Sequence, residues 1–308
     1  MRLLILGAGG TGGYFGGRLA QAGADVSFLV RPARAAALRA DGLRITSPLG
    51  DARLPVETVT AAELPARVTA RPFDLVLLAC KAYDLEPAID AVAPAVGRTT
   101  AVLPILNGLL HYETLDARFG RARVLGGLCF ISAQLGAGGE ILHLGRPASV
   151  TYGLREGNTD SGVLARLDAA FGMAGVDHEF APDIAAAQWI KYSFLAALAA
   201  GTCLMRASIG AIVDGEGGAA FMAALHEECL AVAAAEGQPV PGKARDIARA
   251  ALVQAGSPVK ASMLRDLEAG NRVEAAHIVG DMWHRACRHG LHAPLLQAAW
   301  VNLQAYQH

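Results

Sequence analysis

Charge of one sign is missing from this sequence. Its 308 residues carry 27 Lys and Arg against 28 Asp and Glu, a formal net charge of −1. The arginines scatter along the chain, so no basic surface is implied and no nucleic acid is expected as a partner. Cysteine is sparse: Cys80, Cys129, Cys203, Cys229 and Cys287, none of them in a C-x-x-C pair. That spacing suits neither a zinc site nor a disulfide framework. Each is expected to be a reduced thiol, packed as a small buried apolar residue in a cytoplasmic protein. Long hydrophobic runs are missing too. The longest uncharged apolar stretch, Tyr192–Met205, is shorter than the ~20 residues that span a bilayer. Met1-Arg2 leads directly into Leu3–Leu6 and then into glycines, without the apolar length or cleavage site of a secretion signal. A soluble protein with no membrane partner is the expectation.

What the chain does have is apolar content. Hydrophobic residues make up 53% and charged residues 18%, a composition of well-buried globular proteins. At this length two domains are expected. The first half alternates the patterns of strand and helix. Arg2–Leu6 and Asp25–Val30 read as strands around a helix at Tyr14–Ala22. Phe73–Ala79 and Thr99–Leu106 are continuous apolar runs, the pattern of parallel strands buried on both faces. From Val124 to Tyr152 shorter strands with glycine turns are expected to extend that sheet, and Leu164–Ala174 reads as a helix. Beyond about Pro182 the chain turns alanine-rich with helical spacing over 183–204, 217–236, 242–254, 260–267, 271–289 and 293–306. The reading is an α/β N-terminal domain with a parallel sheet over residues 1–181, followed by an all-α C-terminal domain over 182–308.

Gly7-Ala8-Gly9-Gly10-Thr11-Gly12 is a G-x-G-x-x-G between the first strand and the first helix. Gly7 allows a tight turn, Gly9 lets backbone approach a pyrophosphate, and Gly12 allows close helix–strand packing. The helix N-terminus supplies N–H groups and the positive end of its dipole. In this strand–turn–helix context the motif predicts a Rossmann-type dinucleotide site. An NAD enzyme usually carries an acid after the second strand, to bind the ribose 2′-hydroxyl. Here that place reads Val30-Arg31-Pro32-Ala33-Arg34. The missing acid, with Arg31 and Arg34 able to meet a 2′-phosphate, points to NADP(H).

Two further features stand at strand C-termini, where open α/β sheets place their ligands. Lys81 follows the Phe73–Ala79 run, and Asn107-Gly108 follows Thr99–Leu106. A surface lysine and a plain Asn-Gly turn are the simpler readings of each. In the helical half Gln188-Trp189-Ile190-Lys191 puts a lysine at the head of an apolar helix, and Glu274 lies among small apolar residues. Lysine is rarely buried without a partner or a purpose. A lysine and a glutamate from separate helices could serve as proton donor and its orienting group at a carbonyl that receives hydride. An ordinary structural ion pair is the alternative.

Taken together these residues resemble the ketopantoate reductase (2-dehydropantoate 2-reductase) family from end to end. The resemblance rests on G-A-G-G-T-G at 7–12, the arginine after the second strand, L-A-C-K-A at 78–82 and L-N-G at 106–108. It continues through W-I-K at 189–191, S-M-L-R-D at 262–266 and N-R-V-E at 271–274. It implies a Rossmann domain and a helical domain with the active site in the cleft between them. The implied reaction is NADPH-dependent reduction of ketopantoate to pantoate, in pantothenate biosynthesis. By resemblance Lys191 is the general acid and Glu274 orients it, while Lys81 and Asn107 line the nicotinamide side, where Asn107 also positions substrate. Ser262 binds the substrate carboxylate, and Gln134, in the strand Leu128–Gln134, lies where backbone touches the cofactor.

The sequence departs from the family where asparagines commonly follow the lysine, at Leu195 and Ala199, and where N-G-x-G becomes Asn107-Gly108-Leu109-Leu110. A substrate with a more apolar tail fits those changes. The alternatives to a ketopantoate reductase are therefore a related reductase with a more apolar carbonyl substrate, and a non-catalytic NADP(H)-binding sensor. A small-molecule 2-keto acid is the expected partner. A homodimer, packed through alanine-rich faces of the helical half, is a further expectation.

Overall fold

A computed structural model describes residues 1–158 and 162–307. The chain divides into two compact units: Met1–Leu106 with His111–Ile184, and Asn107–Leu110 with Ala185–His308.

In the first unit β1 (Arg2–Leu6) leads through the glycine loop to α1 (Gly10–Gln21), β2 (Asp25–Leu29) and α2 (Pro32–Asp41). Three short strands follow, β3 (Leu43–Thr46), β4 (Ala52–Leu54) and β5 (Glu57–Val59), then α3 (Leu64–Ala70). Next come β6 (Leu75–Leu78), α4 (Leu85–Val92), β7 (Ala101–Pro104) and α5 (His111–Phe119). The unit closes with β8 (Gly126–Leu135), β9 (Ile141–Gly153), α6 (Val163–Met173) and β10 (Asp177–Phe180). The five strands β5-β2-β1-β6-β7 form one sheet in that order, every neighbouring pair parallel. Every residue of β1, β6 and β7 is buried, as continuous apolar runs require of a sheet covered on both faces. The order reverses between β1 and β6, so the loops after these two strands flank the place where such sheets bind ligands.

Of the segment from Val124 to Tyr152, Val124 meets this sheet in an isolated parallel bridge to Val102 of β7, but the strands that follow do not extend it, contrary to the pattern's expectation. β8 and β9 are long, 10 and 13 residues, and build a second sheet of order β10-β9-β3-β4, with β8 antiparallel to β9. The glycine turn at Gly136–Gly139 joins β8 to β9, with the Gly139 N–H on the Gly136 carbonyl at 2.9 Å. Other glycines lie inside the strands, where they allow close approach. A Cβ on Gly127 would collide with the Pro104 carbonyl, and one on Gly153 with the Ala181 carbonyl.

Helix α1 begins earlier than Tyr14, because its glycines serve packing rather than helix propensity. Each costs about 1 kcal/mol relative to alanine in a helix interior. A Cβ on Gly16 would lie 2.8 Å from Phe28, on the parallel sheet. One on Gly13 would lie 2.6 Å from Ile141, and one on Gly17 2.6 Å from Leu43, both on the second sheet. The helix is therefore clasped between the two sheets, and Leu3, Ile5, Phe15, Phe28, Leu43, Ile141 and Tyr152 share one core.

The second unit is helical. α7 (Ile184–Met205) is followed by α8 (Ile209–Val213), α9 (Gly218–Ala235) and α10 (Gly242–Leu252). Then come α11 (Ser262–Glu268), a π-helical turn (Ala276–Gly280), α12 (Asp281–Arg288) and α13 (Pro294–Gln307). Residues 271–274 are not helical, so the expected helix over 271–289 starts late and with a widened turn. Its core gathers Tyr192, Ala199, Met222, Leu225, Leu264, Val279, Met282 and Leu296. Among the described residues α9 is the one helix long and apolar enough to cross a membrane by length and composition, with a mean hydropathy of 1.3. Its Glu228 accepts the backbone N–H groups of Leu295 and Leu296 at 3.0 and 2.8 Å, capping the start of α13.

All five cysteines are free. Cys129, Cys203 and Cys229 are buried as expected, and burial pushes the Cys203 thiol up to about 12. Cys80 is half-buried and Cys287 exposed, so these two are not core residues.

Because Ile141 is one of the contacts between α1 and the second sheet, Ile141→Ala is expected to destabilise the first unit by about 2–5 kcal/mol. Urea unfolding followed by far-UV circular dichroism measures this as a lower transition midpoint.

Candidate active site

The glycine loop ends β1 and opens α1. Gly7 adopts φ +84°, a left-handed conformation that turns the chain sharply out of the sheet. Gly9 is the N-cap of α1, and no side chain caps the helix there. The first-turn amides and the dipole thus form a site for an anion. A Cβ on Gly9 would meet nothing within 4 Å, which leaves the outer side of the loop open. On the inner side there is no such room. A Cβ on Gly12 would lie 2.7 Å from the Gly7 carbonyl, and one on Gly10 2.5 Å from Ala133 O and 2.8 Å from Gln134 N. Gln134 is therefore brought to the loop through its backbone, on β8. This cradle, closed behind by backbone and open in front, fits a pyrophosphate.

At the end of β2, Arg31 is the N-cap of α2, its side chain 87% exposed and 4.0 Å from Asp84. Arg34, on the first turn of the same helix, donates from Nη2 to the Ala8 carbonyl at 3.0 Å. Burial, and then the Arg44 charge, lower its pKa. The sequence did not single out this contact, although Arg34 follows Arg31 by one helical turn. The Arg34 guanidinium thus stands beside the glycine loop, while that of Arg31 is exposed near Asp84, and no acid takes the place after β2. Lys81 follows β6, half-buried, and its carbonyl accepts the Asp84 N–H at 2.9 Å.

In the helical unit Lys191 lies on α7, only 9% exposed. Its ammonium donates to Asn107 Oδ1 at 3.0 Å, across 84 residues of sequence. Asn107 belongs to the four-residue segment 107–110 that packs with the helices. The next residue, Gly108, has φ +76° and sits so close to the His277 carbonyl that a Cβ would collide with it. Glu274, 6% exposed, precedes the π-helical turn, and its carbonyl accepts from the N–H groups of both His277 and Ile278 at 3.2 Å. Burial lowers the pKa of His277, while the charges of Glu274 and Asp281 oppose that shift. Ser262 opens α11, half-buried.

Of the two positions that depart from asparagine, Leu195 is half-buried one turn beyond Lys191 on the same face of α7. Ala199 is fully buried in the helical core. Leu195 is thus the more accessible of the two positions on which the apolar-pocket reading rests.

The family model described as "Ketopantoate reductase PanE/ApbA" matches residues 3–157, and that of its C terminal matches residues 183–307. An "Uncharacterized oxidoreductase YkpB" of Bacillus subtilis is 36% identical over 307 residues, covering 100% of this chain and 99% of the relative. A "2-dehydropantoate 2-reductase" of Mesorhizobium japonicum is 31% identical over 302 residues, covering 91% of this chain and 89% of the relative. The crystal structure of a 2-dehydropantoate 2-reductase from Geobacter metallireducens superposes with a TM-score of 0.87 at 29% identity, covering 99% of each chain.

Because Gly10 abuts backbone that cannot swing aside, Gly10→Ala is expected to distort the cradle. Titration with NADH and with NADPH should show binding weakened by about tenfold or more, the equivalent of losing about one hydrogen bond to a charged group. Gly242→Ala, where a Cβ meets nothing within 4 Å, should leave the affinity unchanged.

Proposed function

The chain belongs to the ketopantoate reductase family, and on that premise we propose that it reduces a 2-keto acid to the 2-hydroxy acid with NADPH. Ketopantoate to pantoate, a step toward pantothenate, is the default pair. The observation that carries this reading is the buried Lys191 ammonium held on Asn107 at 3.0 Å. A sensor that only binds a dinucleotide has no use for a desolvated acid in its helical unit.

The residues of the chain divide the work. The α1 amides of Gly9, Gly10, Thr11 and Gly12, with Gly7 and Ala8 completing the loop, take the pyrophosphate, and the β8 backbone at Gln134 borders them. Arg31 and Arg34 meet a 2′-phosphate. Lys81 and Asn107 take the nicotinamide side. The reduced nicotinamide supplies the hydride. As the carbonyl carbon accepts it, the π electron pair moves onto the carbonyl oxygen, and Lys191 delivers a proton there. Lys191 then regains a proton from solvent. Asn107 aims the ammonium, Glu274 balances its charge, and Ser262 holds the substrate carboxylate.

A second reading concerns the substrate. Leu195 places a half-buried apolar side chain one turn from the acid, where a hydrogen-bonding asparagine would favour a polar tail. This supports a 2-keto acid with an apolar tail, such as 2-ketoisovalerate.

Lys191→Ala is expected to lower kcat by about 10²- to 10⁴-fold, the usual contribution of a positioned acid. The NADPH dissociation constant should stay nearly constant. A sensor would show little change in either. In parallel, Leu195→Asn is expected to raise kcat/KM for ketopantoate relative to 2-ketoisovalerate by roughly tenfold, in line with a hydrogen bond worth ~1–3 kcal/mol. An unchanged ratio would remove the apolar-tail reading.

A further inference from the structure

Next to Lys191 on α7 stands Tyr192, 1% exposed, whose hydroxyl lies between two acceptors. Ile278 O, in the π-helical turn, is 2.9 Å away, and Asp281 Oδ2, at the start of α12, is 2.8 Å away. The hydroxyl has one proton to give. Asp281 is held in turn by Arg285, whose Nε donates to the same Oδ2 at 2.9 Å. Arg285 also donates from Nη1 to Glu236 Oε2 at 2.7 Å, and its guanidinium lies over the Trp189 ring. Burial, and then the Asp281 charge, raise the Tyr192 pKa well above its ordinary value, so it stays a neutral donor. Burial opposes the charge on Arg285, but Asp281 and Glu236 raise its pKa overall.

These contacts complete a closed circuit. Lys191 bonds Asn107, Gly108 rests on the His277 carbonyl, the next residue's carbonyl faces the Tyr192 hydroxyl, and Tyr192 adjoins Lys191 on α7. The π-helical turn is thereby fixed to α7 on two sides, through the loop of Asn107 and through Tyr192. The same turn begins at the Glu274 carbonyl. A π turn widens the helix, a feature common at functional sites. The Ile278 carbonyl, which also takes the Asp281 N–H, faces a buried hydroxyl supplied by the neighbouring helix, at the spot where Glu274 and Lys191 have to be set.

We propose that Tyr192, locked by Asp281 and Arg285, is a positioning residue that sets the Lys191 ammonium and the Glu274 segment for proton transfer. This rests on the reading of Lys191 as the acid. The hydroxyl touches neither substrate nor cofactor in this role. The ionisable groups packed around it are Asp281 and Arg285 of α12 and Cys229 of α9.

The test compares wild type, Tyr192→Phe, Asp281→Asn and Lys191→Ala, using ketopantoate, 2-ketoisovalerate and phenylglyoxylate with NADPH. For Tyr192→Phe, kcat is expected to fall about ten- to a hundredfold, as a misplaced reacting group does, with KM and NADPH affinity within about twofold. The solvent deuterium isotope effect on kcat should rise, because proton transfer becomes slower relative to the other steps. Asp281→Asn should show the same split in smaller measure, and it serves as the second variant if Tyr192→Phe does not fold. A purely structural role would lower the melting temperature and leave kcat and the isotope effect at wild-type values, which overturns the proposal. If wild type turns over none of the three acids, or Lys191→Ala remains active, the reading of Lys191 fails and the proposal falls with it. A dead Lys191→Ala beside a wild-type-like Tyr192→Phe removes the positioning role alone.

Discussion

A lysine shut away from water has to be given polar partners, and the helical unit is arranged around meeting that demand at Lys191. Leaving an ammonium buried and unpaired costs several kcal/mol. The chain meets the cost with an amide oxygen brought from far away in sequence, on a four-residue segment that leaves the parallel sheet and packs with the helices. That segment can lie where it does because Gly108 presents no side chain to the His277 carbonyl. The widened turn it rests on is in turn met by the Tyr192 hydroxyl. A single buried charge thus explains a loop conformation, a glycine, an irregular helix and a polar network inside an apolar core.

The first unit follows a different constraint, that of close approach. Its helix α1 carries glycines on faces turned to both sheets, and the helix propensity given up is recovered as contact with Phe28, Leu43 and Ile141. The same packing fixes the glycine loop. Gly10 and Gly12 are closed in by backbone while Gly7 and Gly9 stay open, so the loop keeps a free side that an anion can reach. The loop's suitability for an anion comes from the way the unit is packed, without a charged side chain on the loop itself.

Much of this was legible from the sequence. The apolar runs at β1, β2, β6 and β7 announced a parallel sheet because strands buried on both faces leave no room for alternation. The glycine motif announced the loop. The sequence also marked Lys191 and Asn107 separately, yet no local pattern could say that they meet across 84 residues. The second sheet escaped because β3, β4 and β10 have only three or four residues each, with half-exposed patterns. The turn at Gly136–Gly139 was legible, but not that the two strands it joins leave the parallel sheet. Ala199 drew notice because the family commonly has an asparagine there, and the sequence did not say that it is buried in the helical core. The Tyr192–Asp281–Arg285 network left one faint sign, an Asp and an Arg four residues apart on one helix.

The central claim, that the chain couples a dinucleotide to reduction of a 2-keto acid, is tested most directly by following reduced-nicotinamide absorbance together with product analysis. NADPH should be consumed in step with the appearance of a 2-hydroxy acid, one for one, from ketopantoate or from an apolar 2-keto acid. Tight NADPH binding with no 2-hydroxy acid formed from any of them would contradict the account.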